Sequence, residues 1–312
     1  MNLLPLFSLL LTCTTLGQVA SDPLVWSTSR LAQQTYDGGP LTVQQVLSRS
    51  TGFTRSLFRF DSGGLTEYGF ADVPEGNGPF PVIVMVHGYT DAASYRTTTY
   101  TTRYADDLAR HGFLVLHPDL RGHGRSQGQA DPPFLAGYAV DVLNLIGSVR
   151  AHAGQGVLTK ARPGPVGLWG HSDGGNVVIR SLEIKPDWVK AAVLYSSISA
   201  DERQNARQDV ISYGGDPVRS RRILGLPAAV LDAVSPITAL AKITAPLSIH
   251  SGQADREGPP VWAAELCRRL SQLGKVRECF SYRGAPHLFP ASSTWNAQLL
   301  SRTTAFFRRT LR

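Results

Sequence analysis

Short continuous runs of apolar residues alternate with amphipathic segments from residue 81 to the end of the chain. Continuous apolar runs predict strands buried on both faces, because a half-exposed strand alternates apolar and polar positions. The predicted strands are Pro81–Val86, Phe113–Leu116, Val166–Trp169, Ala191–Tyr195, Leu247–Ile249 and Val276–Tyr282. Helical patterns fill the intervals at Tyr100–His111, Ala136–Ala153, Gly174–Ile184, Pro259–Leu273 and Trp295–Leu311. This alternation predicts an α/β fold with a mostly parallel central sheet and helices on both faces.

Two regions depart from the alternation. Runs of strand composition at Ser56–Phe60 and Leu65–Ala71 flank a turn and predict an antiparallel hairpin. Residues 21–54, before the hairpin, are polar and irregular, and we expect an extended arm or a short helix packed on the domain. Segment 198–245 has helical patches only near Glu202–Ile211 and Pro227–Val234. It is too short for an independent domain, so we expect a single domain over residues 21–312 in which 198–245 is a candidate for a small cap.

The first twenty residues contain no charged side chain and are rich in leucine. Such a segment is too short to span a bilayer and is typical of a signal peptide, although no Lys or Arg precedes it. Thr12 before Cys13 fits a lipoprotein acylation motif poorly. We therefore expect residues 1–20 to be a signal peptide of a secreted or periplasmic protein, without a lipid anchor at Cys13 and without stable membrane insertion.

Composition and charge narrow the classes of function. The chain has 312 residues, 42% hydrophobic and 18% charged, which suits a globular protein with a real core. Its formal charge of +7 is scattered, and no basic face interleaved with aromatic residues is visible, so we expect no nucleic-acid partner. Export would remove Cys13 and leave Cys267 and Cys279, either as one disulfide or as two buried thiols; both alternatives remain open.

The pattern G-x-S-x-G occurs twice, at 124–128 and 170–174. The second copy stands between a predicted strand and a predicted helix, where a sharp turn exposes a serine hydroxyl and requires small neighbours. The first copy lies in a polar loop and is followed by Asp131-Pro132-Pro133, which cannot open a helix directly behind it. We therefore predict Ser172 as a nucleophile and Ser126 as an ordinary loop serine.

A nucleophilic serine needs a base within hydrogen-bond reach and an acid that orients the base. Two histidines follow Ser172: His250 inside an apolar strand, where a core role is expected, and His287 in the loop after the last strand. His287 is the predicted base. Asp255, after the strand before it, is the favoured acid, with Glu257 and Asp201 as the alternatives.

The reaction would also need two backbone N–H donors for an oxyanion. We predict the N–H of Asp173, directly after the nucleophile, and that of Tyr89, where Gly88 lets the backbone approach closely. His87 is expected to brace this loop. The sequence has no glycine-rich phosphate cradle, and His117 and His123 beside Asp119 are better explained by loop bracing than by metal binding, so we expect no cofactor and no metal.

From residue 55 onward the chain resembles the α/β-hydrolase superfamily, in particular prolyl-oligopeptidase-type catalytic domains and dienelactone-hydrolase-like esterases. The matching motifs are His87-Gly88, Pro118 to Ser126, Gly170 to Gly175, Ser235-Pro236, Ser251-Gly252 with Asp255, Pro259-Pro260 and His287. The resemblance implies a serine hydrolase with the triad Ser172, Asp255 and His287. It also implies a structural role for the loop that contains Ser126.

Three departures bear on the substrate. The peptidases usually carry a β-propeller before the catalytic domain, which the residues between leader and first strand are too few to build. They often have a bulky aromatic where this chain has Asp173, and no acidic pair stands out as a clamp for a substrate amine, although Asp201-Glu202 is a candidate. We therefore favour a small-molecule ester as substrate over a short peptide, and an enzyme over an inactive binding protein.

Overall fold

The computed structural model describes residues 22–130, 132–213 and 217–311. The predicted leader lies outside these residues and stays a prediction. The strands are β1 (Thr42–Ser50), β2 (Phe53–Ser62), β3 (Leu65–Pro74), β4 (Val82–Val86), β5 (Leu114–Pro118), β6 (Val166–His171), β7 (Val189–Tyr195), β8 (Leu247–Gly252) and β9 (Arg277–Tyr282). The α-helices are α1 (Thr28–Ala32), α2 (Thr102–Arg110), α3 (Ala136–His152), α4 (Asp173–Ile184), α5 (Glu202–Tyr213), α6 (Pro217–Leu224), α7 (Ala228–Val234), α8 (Pro260–Gln272) and α9 (Thr294–Thr310).

These strands form one mixed sheet in the order β1-β2-β3-β5-β4-β6-β7-β8-β9. The β1–β2, β2–β3 and β3–β5 pairs are antiparallel, and every pair from β5 to β9 is parallel. Helices α3, α4 and α8 contribute to the core on one face, and α2 and α9 to the core on the other. The predicted fold class is therefore confirmed, and β4 to β8 are almost wholly buried, as their apolar runs indicate.

The strand order reverses between β4 and β6. From β4 the chain continues to β5 on one side, whereas from β6 it continues to β7 on the other. Connections that leave two neighbouring strands in opposite directions open a crevice at the carboxyl ends of those strands. The segments that follow β4 and β6, which contain Gly88 and Ser172, lie at this crevice.

Strand β1 was not predicted. Residues 21–54 do contain a short helix, α1, but Thr42–Ser50 is a nine-residue edge strand. Most of its residues are exposed, and its pairing with β2 has two register shifts. Backbone hydrogen bonds to β2 hold this strand in the sheet, and neither of its faces is buried. Its sequence therefore does not alternate apolar and polar positions, which is the pattern that predicts a half-buried strand.

Segment 198–245 is more helical than expected. The two predicted patches are α5 and α7, and a third helix, α6, was missed. Its sequence, PVRSRRIL, contains three arginines and only one buried residue, Ser220, so it carries no helical apolar stripe.

The cysteine alternatives resolve to a disulfide between Cys267 of α8 and Cys279 of β9. The bond joins the edge strand β9 to the helix before it. One helical stretch among the described residues, 133–152, is long and apolar enough to cross a membrane, but 83% of its apolar window is buried inside the fold, which is typical of a core helix.

Candidate active site

Ser172 occupies a strained turn between β6 and α4. Its φ and ψ are 55° and −121°, a combination that residues with a side chain rarely adopt. Three backbone hydrogen bonds hold this conformation: the Ser172 N–H donates to Tyr195 O at 3.1 Å, and Ser172 O accepts from Gly175 N–H at 2.9 Å and Ile198 N–H at 3.2 Å. The surrounding backbone therefore fixes the turn that the sequence predicts.

The flanking glycines are required by close backbone contacts. A Cβ at Gly170 would stand 2.3 Å from the carbonyl oxygen of Gly174. A Cβ at Gly174 would stand 2.3 Å from Val86 O, at the end of β4. Both distances are far below a van der Waals contact, so a larger residue at either position would push helix α4 away from the sheet.

His287 lies in the loop after β9 and reaches the turn. Its Nε2 is 2.9 Å from Ser172 Oγ, and both side chains are buried. The loop is anchored two residues later, where Phe289 N–H donates to Tyr195 Oη at 2.5 Å. A serine hydroxyl at this distance can donate its hydrogen to the imidazole.

Asp255, in the loop after β8, contacts the other side of the same ring. Its two carboxylate oxygens are 2.8 and 3.0 Å from His287 Nδ1. Oδ1 also accepts hydrogen bonds from Glu257 N–H at 2.9 Å and Gly258 N–H at 2.8 Å. The carboxylate is thus fixed on three sides, and His287 donates from Nδ1 to Asp255 while Nε2 accepts from Ser172.

The two alternative acids lie elsewhere. Glu257 Oε2 is 3.7 Å from His287 Nε2, on the side of the ring that faces Ser172, and the Glu257 side chain is 45% exposed. Asp201 accepts a hydrogen bond from Arg203 N–H at 2.9 Å at the start of α5 and pairs with the Arg203 guanidinium at 3.6 Å. Of the three carboxylates, Asp255 is the one that contacts Nδ1.

The predicted oxyanion donors flank the same serine. A Cβ at Gly88 would stand 2.7 Å from Ser172 Cβ, so the loop after β4 lies directly against the turn. Asp173 is the first residue of α4, and its N–H belongs to the electropositive amino-terminal turn of that helix. Tyr89 and Asp173 also line one cleft. That their N–H groups bind an oxyanion stays a prediction.

Two other histidines expected to be structural are buried and neutral. The ring nitrogens of His87 are 2.7 and 3.2 Å from Gly88 O and Asp119 O, and burial lowers the pKa of His87 to about 4. His250 Nδ1 is 2.8 Å from Tyr282 Oη, and burial lowers its pKa to about 3. Neither ring contacts Ser172 through a hydrogen bond found in the structure.

The residues around Asp119 form a hydrogen-bonded brace. The Asp119 carboxylate accepts from Tyr95 Oη at 3.0 Å and from Thr97 Oγ1 at 2.8 Å, and burial raises its pKa to about 6. His117 Nε2 is 2.7 Å from Thr101 Oγ1. Within the described ranges, no group of three or more His, Cys, Asp or Glu side chains is arranged to hold a metal ion.

Ser126, in the other copy of the pattern, belongs to this bracing loop. Its Oγ accepts a hydrogen bond from Tyr68 N–H of β3 at 2.9 Å, and its own N–H donates to His123 O at 2.9 Å. The loop continues without a helix directly behind the serine. The Ser126 hydroxyl thus supports the end of a strand.

A cleft of about 420 Å³ opens beside the turn. Helices α5 and α6 form one side of it, and the residues that line it include the apolar Phe134, Leu135, Ile198, Ile223 and Trp262. Charged residues also line it: Asp173, Glu202, Asp209, Glu257 and Arg219. The cleft therefore combines an apolar wall with more acidic than basic side chains.

Two site residues were missed by the sequence reasoning. Tyr100, before α2, and His171, directly before Ser172, are hydrogen-bonded to each other, with Tyr100 Oη 2.8 Å from His171 Nδ1. His171 stood inside the G-x-S-x-G pattern but had no assigned role. Nothing near Tyr100 in the sequence indicates its contact, because seventy-one positions separate the two residues.

Comparisons with known proteins agree with this architecture. Residues 78–211 match the family model described as serine aminopeptidase, S33. Acetyl xylan esterase 1 from Thermoanaerobacterium is 14% identical, with a TM-score of 0.65 over 92% of this chain and 94% of the esterase. Est1E from Butyrivibrio proteoclasticus, solved with ferulic acid bound, is 18% identical, with a TM-score of 0.62 over 81% of this chain and 98% of its own.

A peptidase has a similar fold over part of its length. The acylaminoacyl peptidase from Pyrococcus horikoshii is 22% identical, with a TM-score of 0.66 over 83% of this chain but only 42% of the peptidase. No curated protein sequence matches the chain. At these identities the structural likeness establishes the fold, and both esterases and peptidases share it.

Proposed function

We propose that this chain, which shares its fold with esterases and peptidases, cleaves carboxylic esters of small acyl groups through an acyl-enzyme on Ser172. The observation that carries the proposal is the continuous hydrogen-bonded series from Ser172 Oγ through His287 to the Asp255 carboxylate. It lies beside a cleft that can hold a small ligand.

In the first half of the proposed reaction, Ser172 Oγ attacks the ester carbonyl and His287 Nε2 takes the hydroxyl proton. Asp255, bonded to Nδ1, stabilises the resulting imidazolium. The negative oxygen of the tetrahedral intermediate would accept from the N–H groups of Tyr89 and Asp173. His287 then gives the proton to the leaving alkoxide, and the acyl group stays on Ser172.

In the second half, a water molecule takes the place of the alcohol. His287 Nε2 accepts a proton from this water as it attacks the acyl carbonyl, and the same N–H donors receive the second oxyanion. Collapse of the intermediate returns the proton to Ser172 Oγ and releases the carboxylic acid. The resting hydrogen bond of 2.9 Å is then restored.

The acidic residues near α5 argue against a substrate amine held by a carboxylate pair. Glu202 is 5% exposed, and its Oε1 pairs with the Arg180 guanidinium at 2.5 Å. Asp201 is engaged with Arg203, as described above. The candidate clamp is therefore neutralised by arginines, and an ammonium group would have to displace one of them.

The leaving group gives a second reason to favour esters. An amine must be protonated by His287 as it leaves, whereas an alkoxide leaves more readily, so an amide is the harder substrate for the same machinery. We expect kcat/KM for nitrophenyl butyrate to exceed that for X-Pro and X-Ala nitroanilides at equal pH. Nitrophenyl hemisuccinate is the matched control for charge. We expect its kcat/KM to be lower than that of the butyrate ester, because its carboxylate would be repelled by Asp173 and Glu257 in the cleft.

A serine peptidase is the second candidate function. The match of residues 78–211 to a family described as serine aminopeptidase favours it, together with the fold shared with acylaminoacyl peptidase. A nitroanilide turned over as efficiently as the butyrate ester would replace the esterase proposal with this one.

Export is also a proposal, and the disulfide supports it. Structural disulfides persist in oxidising compartments and are rare in the cytosol of most organisms. Protein recovered from its native host should begin near Gln18 or Ser21. Recovery of intact Met1 from a cytosolic fraction would rule out a cleaved signal peptide.

A further inference from the structure

Tyr100 connects three segments that meet at Ser172. Its Oη accepts a hydrogen bond from Gly88 N–H at 2.9 Å and lies 2.8 Å from His171 Nδ1. His171 Nε2 in turn lies 3.4 Å from the carbonyl oxygen of His287. The loop after β4, the residue before the nucleophile and the loop of the proposed base are thus joined by one series of hydrogen bonds.

The direction of each bond follows from the chemistry of the groups. Because Gly88 N–H donates to Tyr100 Oη, the phenol hydrogen is available for His171 Nδ1. Burial raises the pKa of Tyr100 and lowers that of His171 well below its ordinary value, so the phenol keeps its proton and the imidazole is neutral. A neutral ring that accepts at Nδ1 has its hydrogen on Nε2, which donates to His287 O.

The bond to Gly88 fixes the peptide plane next to the proposed oxyanion donor. Gly88 N–H is committed to Tyr100, and Gly88 has almost no free space, since a Cβ there would meet Ser172 Cβ at 2.7 Å and Tyr100 Oη at 2.9 Å. The following amide belongs to Tyr89. The Tyr89 N–H shares its peptide plane with Gly88 O, which lies 2.7 Å from His87 Nδ1. Rotation of the preceding His87–Gly88 peptide, which Tyr100 holds through Gly88 N–H, would shift this plane relative to Ser172 Oγ.

We propose that Tyr100 is a positioning residue that orients the backbone donor at Tyr89 toward the oxyanion through its hydrogen bond with Gly88. The inference rests on the proposed acyl-enzyme chemistry on Ser172. An oxyanion exists only in the tetrahedral states, so loss of the Tyr100 hydroxyl weakens binding of the transition state and leaves binding of the ground-state ester unchanged.

Tyr100→Phe tests the role because it keeps the ring and removes the hydroxyl. We expect kcat to fall about 10- to 100-fold with KM within about threefold of wild type, less than the loss from deleting an oxyanion donor outright. The matched control is Tyr282→Phe, which removes a hydroxyl that lies, like that of Tyr100, 2.8 Å from the Nδ1 of a buried neutral histidine, His250. Its kcat and KM should stay within about twofold of wild type.

A pair of inhibitors separates positioning from general loss of structure. A trifluoromethyl ketone forms a charged tetrahedral adduct on the serine, whereas the methyl ketone of the same chain binds as a neutral ketone. Tyr100→Phe should weaken the first by the same factor as kcat/KM and leave the second unchanged. Equal weakening of both, or equal effects in Tyr100→Phe and Tyr282→Phe, would overturn the proposal.

His171→Asn supplies a second variant should Tyr100→Phe fail to fold. Its amide oxygen can accept from Tyr100 in place of Nδ1, so the Gly88 contact is kept while the link to His287 O is lost. Because the Gly88 contact is kept, His171→Asn should weaken the trifluoromethyl ketone by no more than it weakens the methyl ketone. Selective weakening of the trifluoromethyl ketone would show that the Gly88 contact is not what carries the effect.

Failure of this inference can be told apart from failure of the proposed function. If wild type hydrolyses no ester but a fluorophosphonate labels Ser172, the labelling rate replaces kcat, because phosphonylation also places a negative oxygen at the donors. Labelling that survives Ser172→Ala would refute the proposed function. Labelling that depends on Ser172 but is equally fast in Tyr100→Phe would refute only the role of Tyr100.

Discussion

The two copies of G-x-S-x-G share a sequence pattern but differ in backbone conformation, in the elements that flank them and in the partner of the serine hydroxyl. Ser172 sits in a left-handed turn between a buried strand and a helix, with His287 Nε2 2.9 Å from its hydroxyl. Ser126 sits in a loop, and its hydroxyl accepts a hydrogen bond from the backbone of β3. The Ser172 hydroxyl faces the imidazole of His287, whereas the Ser126 hydroxyl completes the backbone hydrogen bonding of β3.

The glycines of the two copies also have different functions. Those around Ser172 are required because backbone atoms of β4 and α4 leave no space for a Cβ at either glycine. Those around Ser126 have positive φ, 57° at Gly124 and 88° at Gly128, and serve the conformation of the loop. The motif therefore predicts a reactive serine only where a strand precedes it and a helix follows it. That context distinguished Ser172 from Ser126 in the sequence.

The largest expected effect is the contrast between the two serines. Ser172→Ala should lower kcat by about four orders of magnitude or more, since it removes the proposed nucleophile, while Ser126→Ala should stay within about threefold of wild type. Ester turnover and fluorophosphonate labelling of both variants measure this. Activity lost in Ser126→Ala but kept in Ser172→Ala would reverse the assignment.

The second effect concerns the two carboxylates near His287. Asp255→Asn should lower kcat by about three to four orders of magnitude, because the amide stabilises the wrong tautomer of the imidazole. Glu257→Gln, which changes an exposed carboxylate 3.7 Å from Nε2, should change kcat by less than about fivefold. Circular dichroism of both variants is the control for folding, and a larger loss in Glu257→Gln would transfer the orienting role to Glu257.

The smallest expected effect is a difference in the free energy of unfolding between glycine variants of the two turns. Gly174→Ala should lower the free energy of unfolding by about 4 kcal/mol or more, because a Cβ would overlap the backbone of Val86. Gly124→Ala should cost less, about 1–2 kcal/mol, because the strain of its left-handed backbone is the main term and its Cβ would meet a side-chain atom, Asp119 Oδ2 at 2.9 Å, rather than backbone. Urea unfolding of the two variants decides the order, and equal losses would contradict the proposed difference between the two turns.

The buried parallel part of the fold could be predicted from the sequence. Strands β4 to β8 are almost wholly buried and each contains a short apolar run, so pattern and structure agree within a few residues. The positions of Ser172, Asp255 and His287 followed from the rule that such side chains leave the carboxyl ends of strands. Their hydrogen-bonded arrangement in the structure was expected on that ground.

The remaining features lack a local signal. β1 is held by backbone pairing at an exposed edge and α6 by few buried side chains, so neither produces a periodic pattern. The partnership of Tyr100 with His171 depends on how the loop after β4 folds back over the turn. Contacts of this kind join residues that are distant in sequence, and composition and spacing do not encode them.

The position of β9 has a consequence for how the protein gains activity. β9 lies at the edge of the sheet, is the ninth strand along the chain, and leads directly into the loop of His287. A folding intermediate that has assembled β4, β6 and α4 but not β9 would have Ser172 in its turn without His287 beside it, and on the proposed function it would be inactive. Hydrolysis would then require the completed sheet, in which the Cys267–Cys279 bond ties the last strand to α8.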